Sequence, residues 1–286
     1  MNADFAVFIL THGRADNVKT YATLRRQGYT GSIYLIVDDL DSQQERYKEL
    51  YENEVIVFDK KNSLLNSDPG HYPNNLRTIL YARNASFGIA KSLGIKYFMQ
   101  MDDDYVNFEF KFTDSFCWVY RDGKVLQMDF IFKAMVDFMK LSQKITSLAM
   151  MQSGDYIGGS ENSKAKAIIL KRKAMNSFLC STDRPFKFTG HINEDVCTYT
   201  LQASQGKIFF STNQVSLHQT ITQANSGGMT DTYLESGTYV KSFYSVIFMP
   251  SAVKVAYVAS MNRLHHDINW NACIPMILDQ KHKKTS

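Results

Sequence analysis

A chain of 286 residues, 44% hydrophobic and 21% charged, can bury a sizeable core and has the balance of a soluble globular protein rather than a disordered one. Its apolar stretches, such as Val246 to Met249 and Ala167 to Leu170, fall far short of the roughly 20 residues a membrane helix needs. The amino terminus lacks a basic segment followed by an apolar one, so the sequence predicts no leader, no membrane partner and a cytoplasmic location.

The first hundred residues alternate as α/β domains do. Phe5 to Leu10 is a nearly continuous apolar run, as expected of a parallel strand covered on both faces, and the polar loop Thr11-His12-Gly13-Arg14 follows it. A helix is predicted over Asn17 to Gln27, with Asp16 as N-cap and Gly28 as stop. Ser32 to Val37 is a second strand ending at Asp38-Asp39, Gln43 to Tyr51 a second helix, and Val55 to Phe58 a third strand ending at Asp59. A long helix over Asn75 to Leu93, closed by Gly94, precedes a fourth strand from Ile95 that ends in Asp102-Asp103-Asp104. Every one of these strands ends in polar residues, and open α/β sheets bind ligands outside the carboxyl ends of their strands.

Beyond Tyr105 the chain turns to short aromatic runs, Phe108 to Phe112 and Phe116 to Tyr120, with Asp122-Gly123 as a hairpin signal. A helix is predicted over Met128 to Ser142, strands over Ala165 to Leu170 and Lys207 to Phe210, and a helix around Glu194 to Gln205. The division expected is one catalytic domain over 1–240, with a nucleotide-binding half (1–104) and an acceptor half (105–240), and an extension over 241–286 packed on it. Cys117, Cys180, Cys197 and Cys273 form no CxxC pair, which argues against structural zinc or a disulfide framework. The net charge of +4 is mild, but Lys164, Lys166, Lys171, Arg172 and Lys173 cluster, as a solvated face or a polyanion surface would.

The acid triplet is the sharpest chemical signal. In an extended chain Asp102 and Asp104 share a face about 6.6 Å apart, and their repulsion, about 2–3 kcal/mol at an effective dielectric near 20, would reverse with a divalent cation between them. A solvated acidic turn has the same pattern. Three further features accompany it: Ala82-Arg83-Asn84 in the preceding helix, Glu194-Asp195 opening a later one, and His218 after an apolar stretch.

Taken in order, these parts resemble the nucleotide-sugar glycosyltransferases of the GT-A type over roughly residues 5 to 230, and within them most nearly the phage enzymes that glycosylate hydroxymethylated pyrimidines in DNA. The resemblance implies a GT-A-like open, twisted mixed sheet flanked by helices, with a smaller aromatic-rich acceptor half. It implies transfer of a sugar from a nucleotide sugar, a UDP-sugar favoured, to a hydroxyl, tentatively that of 5-hydroxymethylcytosine in duplex DNA. Asp102 and Asp104 would match the DxD acids and hold Mn²⁺ or Mg²⁺ with His218 completing the set, and Asp195, or else Glu194, would be the catalytic carboxylate of an inverting reaction. A retaining mechanism stays open at this point.

For the donor, Thr11, Arg14, Asp38, Arg83 and Asp103 would line the nucleotide crevice, and Gly227-Gly228 would let a loop close on the diphosphate. For the acceptor, Trp118, Tyr120 and Arg121 could stack on a base, with Lys171 and Arg172 following its phosphates. A glycan or small-molecule acceptor, a nucleotidyltransferase and a non-catalytic nucleic-acid-binding protein are the competing readings. A P-loop enzyme is excluded because no G-x-x-x-x-G-K-[ST] occurs, and Val106-Asn107 break the EF-hand pattern.

Overall fold

The computed structural model describes residues 4–71, 76–111, 123–152, 174–220, 240–259 and 262–274. Its centre is an eight-stranded mixed sheet in the order β3-β2-β1-β4-β7-β6-β8-β5, the open α/β sheet flanked by helices that the sequence predicts. The strands are β1 (Phe5–Leu10), β2 (Ser32–Asp38), β3 (Val55–Phe58), β4 (Tyr97–Asp102), β5 (Tyr105–Phe110), β6 (Ile145–Gln152), β7 (Ser177–Ser181) and β8 (Ile208–Gln219). β1 pairs in parallel with both β2 and β4, so the strand order reverses at β1, where α/β folds open a crevice.

All six residues of β1 are buried. Phe5, Val7 and Ile9 enter one hydrophobic cluster, and Ala6, Phe8 and Leu10 enter the other. A period-2 strand with both faces dry requires the continuous apolar run seen in its sequence. Helix α5 (Met128–Leu141) covers the first face, burying Met128, Ile131, Phe132, Met135, Val136 and Met139 at helical spacing. Helix α4 (Leu80–Ser92) lies on the second, through Leu80, Tyr81 and Ala90. The remaining helices are α1 (Lys19–Arg26), α2 (Gln44–Tyr51), α3 (Lys60–Leu65), α6 (Glu194–Ser204), α7 (240–248) and α8 (Trp270–Cys273).

Several boundaries differ from the sequence expectation. Asp16 is not an N-cap: it sits in a 3-10 turn, Ala15–Asn17, and its carboxylate binds Arg46. The long helix begins at Leu80 rather than Asn75, and α3, capped by the Asp59 side chain, stands where a loop was expected. β8 runs nine residues beyond the predicted Phe210. The strand predicted at Ala165 to Leu170 and the aromatic run Phe116 to Tyr120 lie outside the described residues. Beyond 240 the chain forms α7, a hairpin of β9 (Val253–Val258) and β10 (Arg263–Ile268), and α8. Helix α7 packs Tyr244, Val240 and Phe248 against Ile192 and Cys197. Cys180, Cys197 and Cys273 are buried free thiols, and no described helix is long and apolar enough to cross a membrane.

One topological fact positions the acids. β4 and β5 are separated by two residues, whose three Cα steps span at most about 11 Å, yet four strand intervals, about 19 Å, lie between them in the sheet order. The chain therefore turns a corner at Asp103–Asp104 and the sheet curls to meet it.

Two local tests follow from this packing. Gly28 has φ +84°, and a Cβ there would lie 2.3 Å from the Leu126 carbonyl oxygen, whereas Gly94, at φ +69°, faces open space. Gly94→Ala should cost about 1 kcal/mol and Gly28→Ala about 2 kcal/mol or more in urea unfolding. The His191 imidazole is fully buried, and burial holds it down at about 4 against an ordinary 6.5. The unfolded chain binds the extra proton between these values, so this contribution to stability is present above about pH 6.5 and is lost as pH falls toward 4. Denaturant midpoints across that window should show a slope of up to about 1.4 kcal/mol per pH unit, reduced in His191→Gln.

Candidate active site

The site is built from three loops at the carboxyl edge of β1, β2 and β4, together with the start of α6. Helix α1 faces the acid turn with threonines rather than apolar residues: Thr20 Oγ1 donates to the Asp102 carbonyl (2.6 Å) and accepts from the Tyr105 amide (2.9 Å), and Thr23 Oγ1 donates to the Tyr105 carbonyl (3.0 Å). The turn is thus gripped on both flanks, which leaves its three carboxylates aimed in different directions.

Asp102 meets Arg83. The Arg83 Nη2 donates to Asp102 Oδ1 and Nε to Glu194 Oε1, each at 2.9 Å, and the guanidinium lies over the rings of Phe178 and Phe188 at 5.1 and 5.5 Å from their centroids. With the arginine side chain 1% exposed, burial weakens its charged form, but the Asp102 and Glu194 carboxylates outweigh that and raise its pKa. Burial pushes Asp102 up to about 8 against the pull of Arg83, with the charges of Asp104 and Glu194 adding to the rise. With Asp102 ionised the local charge is excess negative, since one guanidinium serves two carboxylates beside a third.

Asp103 points the other way and is fully engaged. Its Oδ2 accepts from Thr11 Oγ1 (2.7 Å) and its Oδ1 from Arg14 Nη1 (2.9 Å), while Tyr47 Oη meets Thr11 Oγ1 (2.8 Å) and the Arg14 amide (2.9 Å). Burial raises its pKa despite the arginine. Asp41 and Gln43 complete the anchoring by accepting from the amides of Gly13 and Ala15. Asp38 is similarly occupied, Oδ2 meeting His12 Nδ1 (2.7 Å) and Lys60 Nζ (3.1 Å), and Oδ1 the Leu40 amide. Burial opposes its ionisation, but the His12 and Lys60 contacts hold it below its ordinary value. Thr11 and Arg14 therefore bond to Asp103, and Asp38 joins the same edge through His12; sequence reading missed the neighbours His12, Asp41, Tyr47 and Lys60 that complete it.

Asp104 differs from its two neighbours. Its Oδ2 accepts weakly from Thr220 Oγ1 (3.2 Å) and its carbonyl from the Thr220 amide (3.1 Å), but its Oδ1 is buried with no hydrogen-bond partner among the described residues. Burial, and then the Asp103 charge, raises its pKa. An orphaned carboxylate oxygen beside excess negative charge fits a cation held by Asp102 and Asp104. A three-ligand set does not form: no group of three or more His, Cys, Asp or Glu able to hold a metal occurs among the described residues. His218 instead contacts Glu109, Nε2 to Oε2 at 2.7 Å, opposite Asn107 in the β5–β8 register.

Of the acid pair, Glu194 is taken by Arg83, and Asp195 Oδ1 accepts from the Val196 amide (2.8 Å). Both stand in the first turn of α6, where the helix dipole favours negative charge. Asn84, beside Arg83, is structural: its amide pairs with both the N–H and the carbonyl of Phe188. Trp118, Tyr120, Arg121, Lys171, Arg172, Gly227 and Gly228 lie outside the described residues.

The crystal structure of S. aureus TarS is similar at 12% identity and a TM-score of 0.47, over 76% of this chain and 37% of that one, and TarS 1-349 in complex with UDP at 14% and 0.45, over 75% and 59%. The mannosyltransferase PcManGT from Pyrobaculum calidifontis, in complex with GDP-Man and Mn2+, is similar at 10% and 0.46, over 77% and 58%. The chain spans between 37% and 59% of the length of these structures. No curated protein matches it. The model of the TET-Associated Glycosyltransferase family matches residues 5–228, most of the chain and every acid described above, and the chain belongs to that family.

Proposed function

We propose that this chain transfers a sugar from a nucleotide sugar, a UDP-sugar favoured, to the hydroxyl of a hydroxymethylated cytosine in duplex DNA, with inversion at the anomeric carbon, as the sequence resemblance to phage DNA-modifying enzymes suggests. The observation that carries the reading is the Arg83 bridge. It draws Asp102, at the end of β4, and Glu194, at the start of α6, to one point on the carboxyl edge, within the residues matched by a glycosyltransferase family.

The residues take distinct parts. Asp102 and Asp104 hold Mn²⁺ or Mg²⁺, which when bound supplies Lewis-acid neutralisation of charge on the departing diphosphate. The loop carrying Thr11 and Arg14, fixed by Asp103, and the end of β2 at Asp38 form the nucleotide side. Asp195 accepts the proton of the acceptor hydroxyl as its oxygen bonds the anomeric carbon. The bond from that carbon to the diphosphate oxygen breaks, and the nucleoside diphosphate leaves with the bonding pair. The Val196 amide on Asp195 Oδ1 favours the ionised carboxylate and fixes its direction. Glu194, held by Arg83, orients the helix start. His218, paired with Glu109, is left out of the cation site.

Two measurements test this. Protein incubated with Mn²⁺, a panel of nucleotide sugars and hydroxymethylated DNA should release a nucleoside diphosphate and add one hexose-type mass to the modified base. Release without DNA modification would move the acceptor to a glycan or small molecule, pyrophosphate from a nucleoside triphosphate would indicate a nucleotidyltransferase, and no release from any donor would overturn the reading. Asp104→Asn should lower cation-dependent release about a hundredfold or more while leaving the melting temperature near wild type; near-normal release would remove the cation site.

A further inference from the structure

The residue before the acid pair turns its side chain away from its own helix. Asn193 is the N-cap of α6, yet it adopts the left-handed conformation (φ 53°, ψ 42°) and makes no side-chain capping bond. Among non-glycine residues asparagine is the one that enters this region most readily, but at an N-cap it ordinarily uses its side chain to satisfy the first amides of the helix. Here the buried side chain turns away, its Nδ2 donating to the Lys241 carbonyl (2.6 Å) and to Ser245 Oγ (3.4 Å). Both acceptors belong to α7. The helix thus lacks a side-chain cap, and the amide that could supply it bonds instead to a segment nearly fifty residues away.

The same helix also ties down the neighbouring loop. Tyr244 donates from its hydroxyl to the Pro69 carbonyl and accepts from the His71 amide (3.2 Å), and Gly70 leaves no room for a Cβ beside the Tyr244 hydroxyl and the Phe248 ring. The loop over 68–71 pairs in turn with the one leading into α6, through Gly190 N to Asp68 O (2.9 Å) and His191 N to Pro69 O (3.0 Å). Thr78 Oγ1, just ahead of the helix bearing Arg83, donates to the His191 carbonyl (2.8 Å). Helix α7 thus joins the approach to Arg83 with the approach to Glu194 and Asp195.

We propose that Asn193 is a positioning residue for Glu194 and Asp195, and that α7, which lies beyond the residues matched by the family model, is part of the catalytic apparatus because it holds Asn193. The proposal rests on the reading of Asp195 as proton acceptor. The left-handed backbone sets the direction in which α6 starts, and the α7 carbonyl selects that backbone over the ordinary N-cap geometry.

Asn193→Gly and Asn193→Asp separate this from a plain structural role. Glycine adopts the left-handed conformation without strain but loses the whole side chain and its bonds to α7; aspartate keeps shape and size but presents an acceptor to the Lys241 carbonyl. For both, kcat is expected to fall about tenfold or more through misplacement of the proton acceptor. UDP binding by calorimetry in Mn²⁺ should stay within about twofold, since the nucleotide loops are not touched, and the melting temperature of the glycine variant should fall by no more than the few degrees that one lost buried hydrogen bond costs. Amide exchange at 194–198 should quicken in both variants, a readout that needs no turnover. Unchanged exchange with unchanged kcat overturns the proposal, as does a loss of kcat matched by loss of UDP binding and melting temperature, which would make Asn193 merely structural. A wild-type protein without transfer activity whose 194–198 exchange still quickens in the variants would fail the functional reading while keeping the α7 coupling.

Discussion

The Arg83 guanidinium is the interaction on which the rest of the site depends. It is buried against two phenylalanine rings and reaches two carboxylates, one 19 and one 111 residues away in the chain. A buried pair of this kind adds little net stability, because desolvation offsets most of the Coulomb gain, yet removing one member leaves a charge uncompensated at a cost of about 3–5 kcal/mol. Its value is geometric. A planar fork with fixed donors dictates where both carboxylates sit, so β4 and α6 cannot move independently at the carboxyl edge. One guanidinium does not neutralise Asp102, Asp104 and Glu194 together, and the excess is what a cation and the phosphates it carries would resolve.

Around that fork, polar side chains occupy places where core residues might have been expected. Thr20 and Thr23 present hydroxyls to the acid turn. Tyr105 Oη accepts from the Asp102 amide and donates to the Asn176 carbonyl, the Asn176 amide meets Gln219, and Thr220 closes on Asp104. These bonds brace the corner that the two-residue link between β4 and β5 imposes. Asp103, which the turn between β4 and β5 directs away from Arg83, has both oxygens bonded to the first loop. The triplet thus divides its labour: one acid clamps the nucleotide-side loop, one meets the arginine fork, and one keeps an oxygen unspent.

Much of this was legible beforehand where a single period dominates. β1 could be read from its continuous apolar run, α5 from apolar residues at helical spacing, β3 and the start of α6 to the residue. β6 could not, because ITSLAMMQ mixes hydroxyls and an amide into a run buried along nearly its whole length, and Thr146 and Gln152 find their partners, Ile208 and Gln219, only once β8 arrives. β7 (SFLCS) and α3 (KKNSLL) show neither a continuous apolar run nor a regular spacing of apolar residues. Glu194 and Asp195 were visible as a pair, but nothing local tells which one an arginine 111 residues away will engage. His218 shows the opposite limit: a lone histidine after an apolar stretch carries no local sign of its partner, and cross-strand register brings it to Glu109.

What the sequence by itself determined was the alternation of strands and helices, the polar character of the strand ends and the order of the acids, because these follow from side-chain period and from charges that cannot be buried without partners. Which carboxylate is spent on structure and which is left available was decided only by tertiary structure. Arg83, Thr11, Arg14, His12 and Lys60 come from separate elements, and their short-range, directional bonds exist only once the sheet has brought strand ends together. The backbone of Asn193 belongs to the same category: asparagine tolerates the left-handed region, as Asn176 and Asn262 also do, but only the fold brings the α7 carbonyl that its side chain meets.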